Sequence, residues 1–366
     1  MHNAKHIVLV CSRLDEPGGT ERANLNAAHL LLQKGYKVTI VILDITDASF
    51  YPMDERITVI QRPYLFGIDK RGNFITRKMD LIREIFQLRK LIRSLKADVL
   101  IATGYPFAIA LILAGCHKWC RVYSWEHHHY HWIKKNKFWN WLINICYPKL
   151  NGIICYNKDE PKYYLHFGCK MYVIPNFVVS FPPLSDLHEK FLLTVGWLNW
   201  RKGVDLIPYM AGKILDRHPD WKWKLIGQGE LKEQLLLHIN EFGLQDKLII
   251  EDPVKPLTSD DYKQNSLFVM TSRMEPFGLV LIEAMSNGIP CIAFDCKTGP
   301  GNIITDKEDG YLIPLEDKEK MIEAIDELIK DQNKRLEMGS KAYRNSHRFS
   351  AENVFLLWRE LIESVG

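Results

Sequence analysis

Two glutamates carry the most specific chemistry in this sequence. Glu275 and Glu283 lie eight positions apart in the run Thr271-Ser272-Arg273-Met274-Glu275-Pro276-Phe277-Gly278-Leu279, which continues to Gly288-Ile289-Pro290. The apolar residues before Thr271 read as a buried strand ending near Met270, and a helix is predicted to start near Leu279. The first amides of a helix have no partner within it, so the backbone around Gly278 and Leu279 offers an anion site that the helix dipole strengthens. Carboxylates are poor phosphate ligands but good acceptors for sugar hydroxyls. One of the two sits in the loop and the other on an early helical turn. The combination fits a ligand with phosphate at its centre and polyols on either side, which describes a nucleotide sugar.

The elements that must position these groups alternate between strand and helix. His6 to Cys11 is a short apolar run, as a parallel strand buried on both faces requires. A Pro17-Gly18-Gly19 turn follows, then a helix from Glu21 to Lys34 closed by Gly35. Lys37–Ile42, Arg121–Trp125 and Gly152–Tyr156 read as strands, and Leu81–Leu95 as an amphipathic helix with Arg83, Arg89, Lys90 and Arg93 on its polar face. Val99 to Cys116 holds 18 residues without a charge, at the lower limit for a membrane span. Thr103-Gly104-Tyr105-Pro106 interrupts it, so the expectation is a strand to Ala102 and a buried helix from Pro106. The second half repeats the alternation, with strands near 191–195, 223–226, 248–250, 267–270 and 291–294. Its helices fall near 231–241, 279–287 and 318–329, with a last one near 351–363. Phe177–Asp186, with Pro182-Pro183 and little periodicity, reads as a linker. The fold expected is α/β with two Rossmann-like, doubly wound parallel-sheet domains facing a central cleft. Residues 1–178 form the first domain and 179–350 the second, and a C-terminal helix at 351–366 packs back towards the first.

Five spaced segments together resemble one family. Glu275-x7-Glu283, followed by Ala284-Met285 and Gly288-Ile289-Pro290, resembles the E-x7-E signature of retaining GT-B glycosyltransferases of family 4. Pro17 to Arg22 resembles that family's first-loop Gly-Gly, and Val173 to Asn176 its segment before the linker. Val195-Gly196 with Lys202-Gly203, and Ile226-Gly227 with Gly229, resemble its second-domain landmarks. Phe294 to Pro300 is similar to a loop of members that build bacterial surface polysaccharides. The resemblance implies a retaining, metal-independent enzyme with no cofactor and a UDP- or GDP-sugar as co-substrate. It implies that Glu283 holds the donor ribose and Glu275 the transferred sugar, and that the amides at Gly278 and Leu279 hold sugar and diphosphate. Lys202 and Arg201 would stabilise the departing diphosphate, while Gly19 and Gly227 would let backbone approach the donor. One departure is Trp197, where many relatives carry Arg, and Arg201 is the substitute charge. The first domain would bind the acceptor, with Glu126 or His127 of the Ser124–His129 loop near the sugar. An aromatic–histidine loop lying on the surface is the alternative reading of those two residues. Domain closure on the donor would assemble the site.

Composition narrows the partners. The chain of 366 residues is 47% hydrophobic and 25% charged, with a net charge of +4, in the range of a globular protein of two or three domains. Residues 1–178 hold 25 Lys/Arg against 14 Asp/Glu, and the remainder 23 against 30. The basic half therefore suits an anionic partner: a lipid-linked or phosphorylated glycan acceptor, or an anionic membrane surface. Lysines and tryptophans between His131 and Leu142 fit a lipid surface or an aromatic core equally well. Nucleic acid is not expected, for lack of a recognition motif. Eight cysteines without regular spacing, several in apolar runs, suggest buried thiols in a reducing compartment. Cys116, Cys120 and the histidines from 127 to 131 lack the spacing of a zinc site, so no metal is expected. No signal segment is read before the first strand, and the expected location is cytoplasmic, peripheral on the inner face of the cell membrane. A sugar-nucleotide epimerase, a phosphorylase or a non-catalytic nucleotide-sugar-binding subunit would use the same architecture.

Overall fold

A computed structural model describes residues 4–44, 47–62 and 74–364, the side chains of 74–79 excepted. The chain divides into two compact units, one of Met1–Pro175 with Phe355–Gly366, the other of Asn176–Val354.

The first unit runs β1 (His6–Cys11), α1 (Gly19–Gln33), β2 (Lys37–Ile42), β3 (Thr58–Gln61), α2 (Phe74–Leu95), β4 (Val99–Ala102), α3 (Tyr105–Leu113), β5 (Arg121–Trp125), α4 (Lys137–Cys146), β6 (Gly152–Cys155) and β7 (Met171–Val173). Its seven strands pair in the order β3-β2-β1-β4-β5-β6-β7, every pairing parallel. β1 is wholly buried, which explains its unbroken apolar sequence. The uncharged stretch from Val99 resolves into strand, turn and a nine-residue helix, as its Gly-Tyr-Pro interruption requires. Among the described residues no helix is long and apolar enough to cross a membrane. α2 extends back to Phe74, and its apolar stripe is incomplete: Leu88 and Ile92 are buried, whereas Ile82 and Phe86 are 56% and 66% exposed.

The second unit runs β8 (Phe191–Val195), α5 (Ile207–Arg217), β9 (Lys222–Ile226), α6 (Lys232–Glu241), β10 (Leu248–Glu251), α7 (Ser259–Lys263), β11 (Leu267–Met270), α8 (Leu279–Ser286), β12 (Cys291–Phe294), β13 (Gly310–Ile313), α9 (Lys318–Lys330) and α10 (Gln332–Ser346). Its six strands are also all parallel, in the order β10-β9-β8-β11-β12-β13. Crossovers through helices on both faces demand this parallel arrangement. The irregular segment 177–186 is fastened to the second unit. Ser185 N–H donates to the Asn287 carbonyl, and Phe181 stacks on His347. A final helix, α11 (Ala351–Glu363), contributes its later turns to the first unit. There Arg121 donates to the carbonyls of Ile362 and Ser364, and Trp358 meets Trp125 edge-on. The cysteines are all free thiols, and burial pushes the Cys11 thiol up to about 12.

Candidate active site

Strand order decides which loops meet. β8 and β11 are neighbours and both run parallel, so the loops leaving their carboxyl ends emerge side by side. After β8 the chain turns through Trp200–Lys202 in a single 3-10 turn, capped by the Asn199 side chain on the Lys202 amide at 3.1 Å. The two loops are then laced together. The Arg201 carbonyl accepts from the amides of Arg273 and Met274, and the Lys202 carbonyl accepts from the Thr271 hydroxyl at 2.9 Å. This lacing leaves no room for a side chain at Gly203, where a Cβ would lie 1.9 Å from the Thr271 carbonyl oxygen.

The lacing brings Lys202 Nζ to 2.5 Å from Glu275 Oε2. The carboxylate is nearly buried, at 7% exposure, so it needs this cation: an unpaired buried charge is costly. β12 adds a third loop on the far side of β11. Thr298 bridges Glu275 through the backbone, and its hydroxyl donates to the Glu275 carbonyl at 3.2 Å. A Cβ at Gly299 would come within 2.5 Å of that same carbonyl oxygen.

Gly278 sits at φ +103°, a conformation few side chains tolerate, and turns the chain into α8 without a side-chain cap. The helix start is thus backbone alone, the geometry that accepts an anion. α8 is mostly apolar and buried, and it carries one ionisable side chain, the carboxyl of Glu283 at 6% exposure. Its Oε2 accepts from the Tyr262 hydroxyl at 2.7 Å. A charge retained at that depth is rare without a partner or a task.

Arg201 is exposed and its guanidinium has no partner among the described residues, while its backbone ties the loops. Gly227 is explained by packing, since a Cβ there would meet the Gly196 carbonyl oxygen at 1.9 Å. Gly19 begins α1, and a Cβ on it would meet nothing within 4 Å. The packing of the first unit therefore gives no reason for glycine at that position.

The loop after β5 is not a surface loop. His127 and His129 are buried and only His128 is exposed. His127 Nδ1 bonds the Tyr156 hydroxyl, while its Nε2 is buried with no hydrogen-bond partner among the described residues. Burial drives the His127 pKa well below the usual histidine value, and the neighbouring His128 adds to the shift. Glu126 accepts from the hydroxyls of Ser124, at 2.6 Å, and Tyr147. Burial holds its carboxyl above the usual range, against those two hydrogen bonds. Glu126 and His127 thus have separate partners and do not form one pair. His129 pairs with Glu160.

Sequence reading missed Arg273 and Tyr262. Arg273 is 8% exposed at its side chain and grips Asp205 with two hydrogen bonds, of 2.6 and 2.8 Å, and also Glu316. A further bond reaches the Trp200 carbonyl. It is the clamp that fixes the Lys202 loop against the Glu275 loop. An arginine two positions before Glu275, in a loop with no other cation, was the available signal. Nothing local in the sequence relates Tyr262 to Glu283.

Two wholly parallel Rossmann-like units, the second carrying a glutamate on either side of an uncapped helix start, define an enzyme of the GT-B class. The chain belongs to glycosyltransferase family 4: residues 17–179 match Glycosyltransferase Family 4, and residues 179–345 match Glycosyl transferases group 1. It is 25% identical to the amylovoran biosynthesis glycosyltransferase AmsD of Erwinia amylovora, over 97% of this chain and 99% of that one. It is 24% identical to a Campylobacter jejuni enzyme over 95% of this chain and 96% of that protein, whose name describes an N-acetylgalactosaminyltransferase acting on a glycan-PP-undecaprenol. Among solved structures, S. aureus TarM in complex with fondaparinux, alpha-GlcNAc-glycerol and UDP superposes with a TM-score of 0.79. That likeness has 18% identity and covers 98% of this chain and 100% of that one.

Proposed function

We propose that this glycosyltransferase is a retaining, metal-independent enzyme of surface polysaccharide synthesis: lipopolysaccharide, capsule or exopolysaccharide. It moves a hexose or N-acetylhexosamine from a UDP-sugar, with GDP the other candidate nucleotide, to a lipid-linked or phosphorylated glycan. The carrying observation is the Lys202–Glu275 pair beside the uncapped start of α8. In this reading Glu283 accepts from the ribose hydroxyls, and the amides at Gly278 and Leu279 meet the diphosphate. Glu275 orients the transferred sugar. As the glycosidic bond breaks, negative charge grows on the leaving diphosphate, and Lys202, with Arg201 at the edge, stabilises it. Gly19 offers backbone towards the donor, and Gly227 shapes the floor of the nucleotide site. Glu126 and His127 are assigned to the sugar and acceptor side. Retention and the absence of metal and cofactor rest on the E-x7-E resemblance. UDP in the TarM complex and the undecaprenyl-linked glycan in the Campylobacter name support the donor and acceptor classes.

The same reading places the enzyme at the inner face of the cell membrane. Phe138 and Trp141 on α4 are 55% and 57% exposed, and Ile82 and Phe86 project from the arginine-rich α2. Exposed aromatics among basic residues suit an anionic lipid surface.

The test is nucleotide release with acceptor-bearing membranes. Lys202→Ala and Glu275→Ala should each lower kcat at least about a hundredfold with the fold intact; near-normal turnover in either refutes the assignment. Product formed from donor alone would point instead to an epimerase.

A further inference from the structure

We propose a second anion site, on the first unit, that takes the phosphate or diphosphate ester of the acceptor; it rests on the glycosyltransferase reading above. A cavity of about 450 Å³ opens beside α4, lined by His131, Lys134, Lys135, Asn140, Asn144 and His166 among others, with no carboxylate in its lining. Every polar side chain of that set can donate hydrogen bonds, and four of the six carry or can acquire positive charge. A donor-rich wall with four cationic or protonatable groups and no carboxylate is the chemistry of an anion cradle.

Lys135 gives the second observation. It is only partly exposed, and its ammonium lies over two tyrosine faces, 5.1 Å from the Tyr105 ring centroid and 5.0 Å from that of Tyr130. Among the described residues its Nζ makes neither an ion pair nor a hydrogen bond. The nearby carboxylates are engaged elsewhere, Glu126 by Ser124 and Tyr147, Glu160 by His129 and the Tyr130 amide. An ammonium withdrawn from water with no anion in direct contact is held by cation–π contacts and the longer-range attraction of Glu126 and Glu160, which supply only part of what a phosphate in contact would. Burial correspondingly pulls its pKa down.

The cavity also has the right neighbours. Asn140 and Asn144 sit one turn apart on α4, so they present one polar line to the cavity. The exposed Phe138, Trp141 and Ile145 occupy the adjoining face of the same helix. Tyr130, against which Lys135 packs, is three residues from His127. A phosphate held here would lie on the same unit as the two groups assigned to the acceptor side, with an apolar ridge beside it for a lipid tail.

The experiment is titration calorimetry on the full chain saturated with UDP, so that the donor site is filled. Geranyl diphosphate and glycerol 3-phosphate are the probes. Binding of either supports the site; preference for the first marks a lipid-borne phosphate, preference for the second a polymer-borne one. Lys134→Gln/Lys135→Gln should weaken the bound probe about tenfold or more while leaving UDP affinity unchanged. Asn144→Ala/His166→Ala, at exposed positions, is the second variant and should weaken it severalfold. Unaltered probe affinity in both variants overturns the proposal, as does a wild-type chain that binds neither probe. UDP affinity on the same samples separates the two readings: its loss in the wild type counts against the donor site, whatever the probes do.

Discussion

Replacing His127 with Gln should flatten the acid side of the first unit's stability profile. His127 is 6% exposed, its Nε2 has no hydrogen-bond partner among the described residues, and its pKa lies well below the ordinary 6.5 because the charged form would be stripped of water. In the unfolded chain the imidazole titrates near 6.5. Below that value the unfolded state binds a proton that the folded state refuses, so stability is present above pH 6.5 and lost as pH falls. One such proton gives a slope approaching about 1.4 kcal/mol per pH unit. Between pH 6.5 and 5.5 the integrated loss is up to about 1 kcal/mol, since the unfolded imidazole goes from half to mostly protonated over that interval. Glu126 works with the opposite sign. Its raised pKa contributes stability at acid pH that fades as pH rises through the folded value, so it cannot mimic the His127 effect. His6, His29 and His117 are also depressed by burial and steepen the wild-type curve. The informative quantity is therefore the wild-type minus His127→Gln difference. Amide exchange of β5 and β6 by mass spectrometry, corrected for intrinsic rate, reads the opening free energy of this unit from pH 8 to 5.5. The difference should be nearly constant above pH 7 and should shrink from that plateau by up to about 1.4 kcal/mol by pH 5.5. A difference that stays constant throughout would mean that His127 takes up its proton in the folded unit, and the burial argument would fail.

Three further outcomes are expected. Gly203→Ala should destabilise the second unit by about 2–4 kcal/mol in urea unfolding, because φ is +64° and the new methyl would strike the Thr271 carbonyl. Tyr262→Phe should raise the donor KM severalfold and cost about 1–3 kcal/mol, since buried Glu283 loses a 2.7 Å donor; an unchanged KM would detach Glu283 from the donor. Arg273→Lys should lower kcat at least about tenfold with the net charge preserved, because an ammonium cannot span Asp205 and Glu316 while also reaching the Trp200 carbonyl; full activity would show that charge alone suffices there.

The legibility of this chain follows the range of the forces involved. β1, β4, β11 and β12 are wholly buried, so their apolar runs announce parallel strands with no outside information. Gly278 and the strand before it announce a helix start for the same local reason. Arg273 and Tyr262 were missed because their partners, Asp205 and Glu283, are distant in sequence and come close only through strand order. The loop after β5 hid in another way. His127-His128-His129 looks alike at each position, yet the backbone buries the first and third and exposes the second. Alternation of that kind depends on what packs over the carboxyl end of β5, and Trp358, more than two hundred residues away, packs there against Trp125.

Glu275 poses an electrostatic problem that Lys202 resolves. A carboxylate one short loop from the start of α8 would, on its own, repel any phosphate drawn to that helix start. With Lys202 Nζ at 2.5 Å the pair is locally neutral, and the field at the helix mouth is left to the backbone amides. On the proposed function a diphosphate arriving there would compete with Glu275 for the same ammonium, and Lys202 would turn towards charge developing on the leaving group without a cation being recruited from solvent. The two side chains should therefore be coupled. Glu275→Gln frees Lys202 to hold nucleotide more tightly while weakening turnover, whereas Lys202→Ala leaves an uncompensated carboxylate and weakens both. In the double variant the loss of nucleotide affinity should exceed the sum of the single effects, because each single substitution already relieves the competition between Glu275 and nucleotide for Lys202, and that relief can be gained only once. Strict additivity in UDP affinity would mean that the two groups act independently, and the neutral-pair account of this site would be wrong.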